Sequence, residues 1–175
     1  VYMIDQTDEA VSEALEKIIR NMDRDVARGR IDEDVRNGAL KRIATGSSYD
    51  GFKDCDLVIE AASEDEDVKK AILKKLCENV KDSALIATNT SSISITRLAA
   101  QSDRPGQVCG MHFMNPVPRM ELVELIRGIA TEEDTYKRVR TLTEKLGKKA
   151  VNRQLKIAAT ESQIKTHLRS YRSAS

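Results

Sequence analysis

Apolar residues along this chain recur with two periods, and the change from one to the other outlines the fold. A short apolar strand, Val1 to Ile4, opens the sequence. Thr7 followed by Asp8 and Glu9 marks a helix start, since acidic groups are favourable beside unpaired first-turn N–H groups. Val11, Leu15, Ile18, Ile19, Met22 and Val26 then fall on one face at helical spacing, and after Asp32 the positions Val35, Ala39 and Leu40 do the same. The two helices form a hairpin around Gly29. Beyond it the pattern alternates between strand and helix: LVIEA (Leu57 to Ala61), a helix over Val68, Ile72 and Leu76, ALIAT (Ala84 to Thr88), a short helix near Ile95, VCGMHF (Val108 to Phe113) and LVELI (Leu122 to Ile126). A last helix, capped by Thr131, turns Tyr136, Val139, Leu142 and Leu146 inward and stops at Gly147.

Strands alternating with helices imply an α/β fold, a mostly parallel sheet covered by helices, here with an inserted helical hairpin. Residues 1–147 read as one domain. From Lys148 to Ser175 the apolar period is lost: Lys148, Lys149, Arg153, Lys156, Lys165, Arg169 and Arg172 stand against Glu161 alone. This basic segment reads as a weak helix or a disordered tail.

Composition narrows the function. The chain has 175 residues, 40% hydrophobic and 33% charged, and a formal net charge of +1. No long-range field favours nucleic acid or a membrane surface, so an anion must be met locally. Cys55, Cys77 and Cys109 are odd in number and form no CxxC pair, which argues against a disulfide framework or a zinc site and for a reducing compartment, the cytoplasm or another. No metal site is expected. There is no apolar run of membrane-spanning length and no targeting leader.

The chemistry concentrates in a few places. Asp5 ends a strand that precedes a helix, where dinucleotide folds hold ribose hydroxyls, although such an Asp also serves as a turn former or cap. Only four residues precede it, so no Gly-rich fingerprint stands upstream, and no GxGxxG occurs elsewhere. ATNTSSISITRLAA (Ala87 to Ala100) carries more hydroxyls than a strand-to-helix connection needs. His112, with Glu124 on the next strand, offers a base whose other ring nitrogen can be held by an acceptor, as removal of an alcohol proton requires. From spacing alone the pair also fits a structural histidine and a solvated glutamate. His167 reads as structural. A nucleophilic Ser91 is disfavoured because GxSxG is absent. Arg20, Arg24 and Arg28 form a stripe at i, i+4 and i+8, suited to phosphate or simply a solvated face in which Glu16 pairs with Arg20.

DLVIEAASEDEDVKK, LIATNTSSISITRLA and GMHFMNPVPRMELVELIRG, in this order, resemble the successive signatures of the NAD-dependent L-3-hydroxyacyl-CoA dehydrogenases, including the short-chain 3-hydroxybutyryl-CoA enzymes. VYMIDQT is similar to that family's second strand. The resemblance runs from Val1 to about Gly147 and implies a Rossmann-like domain. It implies His112 as general base, Glu124 as the residue that orients it, and Ser91 as the hydrogen-bond partner of the substrate's C3 oxygen near the nicotinamide. It also implies an NAD site lined by Asp5, Glu64, Lys69, Ser91 and Asn115, and contacts of Asn21 and Arg28 with the CoA of an acyl-CoA substrate. Members of the family form homodimers through a C-terminal helical domain.

Two departures from the family pattern temper this. The first strand with its glycine fingerprint is missing, and after LGK the family's linker and helical domain are replaced by KKAVNRQLKIAATESQ. The Asn152-Arg153 pair echoes one at the start of that domain without the linker that precedes it. The expectation is therefore a fold incomplete at both ends. Its function is either that of an NAD-dependent 3-hydroxyacyl-CoA dehydrogenase, impaired in this chain, or that of a non-catalytic remnant that binds CoA or NAD weakly or packs with a partner. Another Rossmann dehydrogenase is a third reading, against which NTSS and HFMNPVP speak.

Overall fold

The structure, a computed structural model, describes residues 1–153. It divides into two compact units, Val1–Val58 with Lys74–Ala84, and Ile59–Leu73 with the chain from Leu85 onward.

In the first unit, strand β1 (Tyr2–Ile4) leads into helix α1 (Asp8–Ala27), whose start is fixed by the Thr7 hydroxyl accepting the Ala10 N–H at 3.2 Å. Gly29, at φ +64, makes the left-handed turn to α2 (Glu33–Leu40), a conformation that a Cβ would strain. Strand β2 (Ala44–Gly46), which has too few apolar residues to show in the pattern, pairs parallel with β1, Tyr2 opposite Ala44. A 3₁₀ turn over Tyr49–Phe52 brings Phe52 edge-on to Tyr2, ring centroids 5.3 Å apart, and buries it. Of the apolar stripe of α1 only Val11 is fully buried, and Val35 is 54% exposed rather than inward.

A five-stranded sheet, all of it in the second unit except Leu57 and Val58, has the order β3 (Leu57–Glu60), β4 (Leu85–Thr88), β5 (Val108–Phe113), β6 (Leu122–Arg127) and β7 (Lys149–Asn152). The β4–β5 and β6–β7 pairs are parallel and β5–β6 antiparallel, the mostly parallel α/β sheet that the alternating pattern implies. Helix α3 (Glu66–Asn79) follows β3, α4 (Ile95–Ala99) follows β4, and α5 (Glu133–Lys145) connects β6 to β7. Ile86, Met111, Val123, Leu125, Ile126 and Val139 are wholly or almost wholly buried and form much of this core. Gly110 lets α4 approach: a Cβ there would stand 2.8 Å from Ile126 Cβ and 2.9 Å from Ile95 Cδ1.

Four further details differ from the sequence reading. Lys148 and its successors do not all leave the fold, because Lys149–Asn152 adds β7 to the sheet. The strand is read poorly from sequence because an edge strand can carry lysines. The rest of the basic segment, 154–175 with His167, lies outside the described residues. Thr131 does not cap α5. The N-cap is Glu132, while the Thr131 hydroxyl donates to Val108 O at 2.7 Å and accepts Gly128 N–H at 2.8 Å, tying the helix entry to β5. The inward stripe of α5 is Thr135, Val139 and Thr143, and Leu146 is 52% exposed. Thr143 can be buried because its hydroxyl bonds back to Val139 O at 2.8 Å. On α3 the buried face is Lys69, Leu73 and Leu76, turned from the expected Val68, Ile72 and Leu76, because a carboxylate draws Lys69 inward.

Candidate active site

Register brings His112 and Glu124 together. They are directly opposed residues of the antiparallel β5–β6 pair, so their side chains leave the same face of the sheet at neighbouring positions. His112 Nδ1 lies 2.9 Å from Glu124 Oε2, and both side chains are about four-fifths buried. A carboxylate acceptor at Nδ1 selects the Nδ1–H tautomer and leaves the Nε2 lone pair free. Burial pushes the Glu124 carboxyl up, but the hydrogen bonds from His112 and Arg153 outweigh it and hold the group below its ordinary range.

The hydroxyl-rich turn after β4 is organised by Glu64. Its Oε1 faces the Thr90 hydroxyl at 2.6 Å, Ser91 N at 2.9 Å, Ser92 N at 3.1 Å, and the hydroxyls of Ser92 and Ser91 at 3.0 and 3.1 Å. One carboxylate oxygen cannot accept five good hydrogen bonds. Thr90 and the Ser91 amide hold it most closely, so the Ser91 hydroxyl is among the donors that can turn to another acceptor. Burial pushes the Glu64 carboxyl up, yet these donors win and bring it down to about 2.

Asn89 touches the strands on either side. Its N–H donates to Glu60 O on β3 at 2.8 Å and its Oδ1 accepts Phe113 N–H at the end of β5 at 2.8 Å.

Lys69 is fully buried, which the sequence does not suggest. Its ammonium donates to both oxygens of Glu60, at 2.9 and 3.1 Å, and to Ala62 O at 3.1 Å. Glu60 also accepts the Ala62 N–H at 2.7 Å and the Thr88 hydroxyl at 2.6 Å. Lys69 therefore lies behind Glu64, 3.8 Å from its Oε2, rather than open to a ligand. Glu60 was missed because a glutamate at a strand end looks solvated, and only its pairing across nine residues with a helical lysine gives it away. Asn115 is exposed and precedes a cis bond to Pro116.

Ser91, His112, Glu124, Glu64, Lys69 and Asn115 all belong to the second unit, and Asp5, Asn21 and Arg28 to the first. Asp5 ends β1 with its Oδ1 accepting the Gln6 N–H at 2.7 Å, and its carboxylate is exposed. On α1, Arg20 pairs with Glu16 at 3.0 Å and Arg24 donates to the Asn21 side chain, whereas Arg28 forms no ion pair among the described residues. No disulfide forms among the described residues, and burial raises the Cys109 thiol to about 11. No group of three or more metal-ligating side chains occurs among the described residues, and none of their helices is long and apolar enough to cross a membrane.

A family model described as the NAD-binding domain of 3-hydroxyacyl-CoA dehydrogenase matches residues 1–155. The chain belongs to the 3-hydroxyacyl-CoA dehydrogenase family. The 3-hydroxybutyryl-CoA dehydrogenase of Bradyrhizobium diazoefficiens is 47% identical over 148 residues, covering 85% of this chain and 50% of that protein. Among solved structures, the (S)-3-hydroxybutyryl-CoA dehydrogenase of Ralstonia eutropha superposes with a TM-score of 0.86 at 44% identity, over 88% of this chain and 54% of that one. The 3-hydroxybutyryl-CoA dehydrogenase of Escherichia coli gives 0.85 at 38% identity, over 88% of this chain and 33% of that one. The chain thus spans about half the length, or less, of these 3-hydroxyacyl-CoA dehydrogenase relatives, and what it matches is their NAD-binding domain.

Proposed function

We propose that this chain is the cofactor-binding and acid–base half of an NAD-dependent L-3-hydroxyacyl-CoA dehydrogenase, interconverting the C3 alcohol and ketone of an acyl-CoA. The observation that carries the proposal is the His112–Glu124 pair, held at 2.9 Å on one face of the sheet. His112 Nε2 takes the hydroxyl proton from the C3 alcohol in oxidation and, as imidazolium, returns it in reduction. Glu124 stabilises the imidazolium by accepting from Nδ1. Ser91 turns its hydroxyl from Glu64 to the C3 oxygen and so fixes the alcohol against the base.

The residues present suit a nicotinamide cofactor. Asp5 supplies an exposed acceptor for ribose hydroxyls at a strand's carboxyl end, where ligands of open α/β sheets gather. Glu64, Ser91 and Asn115 line the nicotinamide side, with Lys69 supporting Glu64 from within. NAD, when bound, supplies the hydride acceptor for C3. Asn21 and Arg28 meet the CoA moiety, Arg28 with a guanidinium suited to phosphate. A homodimer built through segments beyond this chain belongs to the same reading, as does a reducing compartment.

The test joins the chain to the flanking segments of a full-length relative and follows NADH consumption with acetoacetyl-CoA. Turnover that disappears in the His112→Gln variant supports the reading. Turnover that survives that substitution rules it out.

A further inference from the structure

Arg153 follows β7 directly, and its backbone continues the ladder, its N–H donating to Leu125 O at 2.9 Å. Because β7 runs parallel to β6 with Val151 opposite Glu124, strand alternation directs Arg153, two residues on, to the face that carries Glu124 and His112. Its Nη1 reaches Glu124 Oε2 at 2.7 Å and lies 3.5 Å from the Ser91 carbonyl oxygen. That Oε2 is the oxygen facing His112 Nδ1.

We propose that Arg153 is a positioning residue, whose guanidinium pins the Glu124 carboxylate so that it holds His112 as the Nδ1–H tautomer with Nε2 left as the base. The proposal rests on the dehydrogenase reading of the site. A carboxylate bonded only to an imidazole can rotate about its last side-chain bond and offer either oxygen or none. A second, charge-assisted bond to the same oxygen removes that freedom. The guanidinium also stays charged at every relevant pH, so it keeps Glu124 ionised.

The groups around the pair come from three elements. Glu124 stands on β6 and Arg153 follows β7. The turn after β4 contributes the Ser91 carbonyl oxygen, and that turn's own amides and hydroxyls face Glu64, which is backed by Lys69. Among the described residues, Arg153 is thus the cation that reaches the carboxylate of the His112–Glu124 pair directly.

The test uses the chain itself, labelled with ¹⁵N at histidine. Its two histidines, His112 and His167, are told apart by the spectrum of the His112→Gln variant. In the parent, neutral His112 should be predominantly the Nδ1–H tautomer. Arg153→Gln should give a mixture of tautomers, seen as movement of the Nδ1 nitrogen shift toward its unprotonated value. Arg153→Met should do the same, and Arg153→Lys, which keeps the charge, should stay close to the parent tautomer. The side chain is 38% exposed at the end of an edge strand, so neither neutral variant removes core. If both leave the tautomer as in the parent, or if they disagree with each other, the proposal is overturned. These readings need no substrate. A chain with the expected tautomer behaviour but no dehydrogenase activity would sink the functional reading alone.

Discussion

Lys69 and Glu60 are joined in an ion pair that neither water nor a ligand reaches, Nζ to Oε1 at 2.9 Å with both side chains essentially unexposed. Deleting one partner of such a pair leaves the other charged and desolvated, which costs more than the pair itself contributes. Lys69→Met should therefore destabilise the chain by about 3–5 kcal/mol in urea denaturation, and Lys69→Met with Glu60→Gln should recover much of that. A loss under about 1 kcal/mol for the single variant would mean that Glu60 finds water or a proton when Lys69 is gone.

His112→Gln, in the full-length assembly described above, should lower kcat by about 10²–10⁴-fold, the usual contribution of a placed acid–base group. NADH affinity, measured by fluorescence, should remain close to the parent's, because the proposed role of the imidazole is to act on the alcohol proton and not on the cofactor. A matched fall in both quantities would point to a structural role instead.

Glu64 makes stability depend on pH in a definite direction. Its carboxyl is brought from an ordinary 4.5 to about 2 in the folded state, so the folded protein holds the ionised form more strongly than the unfolded chain does. The resulting stabilisation is present above about 4.5 and fades as pH falls toward 2. Glu64→Gln should be less stable than the parent near neutral pH, and the gap between their urea midpoints should close across that acid range. Curves that remain parallel would show that the turn does not draw its order from the carboxylate.

Gly110→Ala tests how tightly α4 is held over β5. The added methyl would meet Ile126 at its Cβ, which is anchored to the backbone and cannot swing aside, as well as the tip of Ile95. Overpacking of this sort costs about 1–3 kcal/mol, so a drop of that size in urea denaturation is expected. An unchanged midpoint would mean that the short helix shifts to accommodate the methyl.

Much of this was legible in the sequence, for reasons particular residues make clear. β4 is apolar at every position but its last, the signature of a strand covered on both faces, and Thr7 with its acidic followers announces α1 by helix-end chemistry alone. His112 and Glu124 stand out because each lies on a recognisable strand, and their roles come from the family resemblance. That they are register partners depends on the antiparallel turn between β5 and β6, which periodicity does not encode. Glu60, Lys69 and Arg153 hide their contacts from the sequence for one shared reason. A charged residue in a one-dimensional pattern counts as solvated, and burial or a functional contact becomes visible only when the opposite charge is known to be adjacent. β2 and β7 escaped because three or four residues rich in Ala, Thr, Gly, Lys or Asn carry too little apolar signal to define a period.

The Asn89 side chain stands where β4 ends but β5 continues: the ladder closes at Thr88 opposite Gly110, and Phe113 lies three residues farther along. An asparagine amide there imitates the next peptide group that β4 does not provide. The residue next to His112 is thus clasped by a side chain rather than by a backbone, and a side chain can let go without unravelling a strand. Asn89 therefore plays the part of a peptide group on loan, and one residue joins the order of the Ser91 turn to the order of the strand end beside His112.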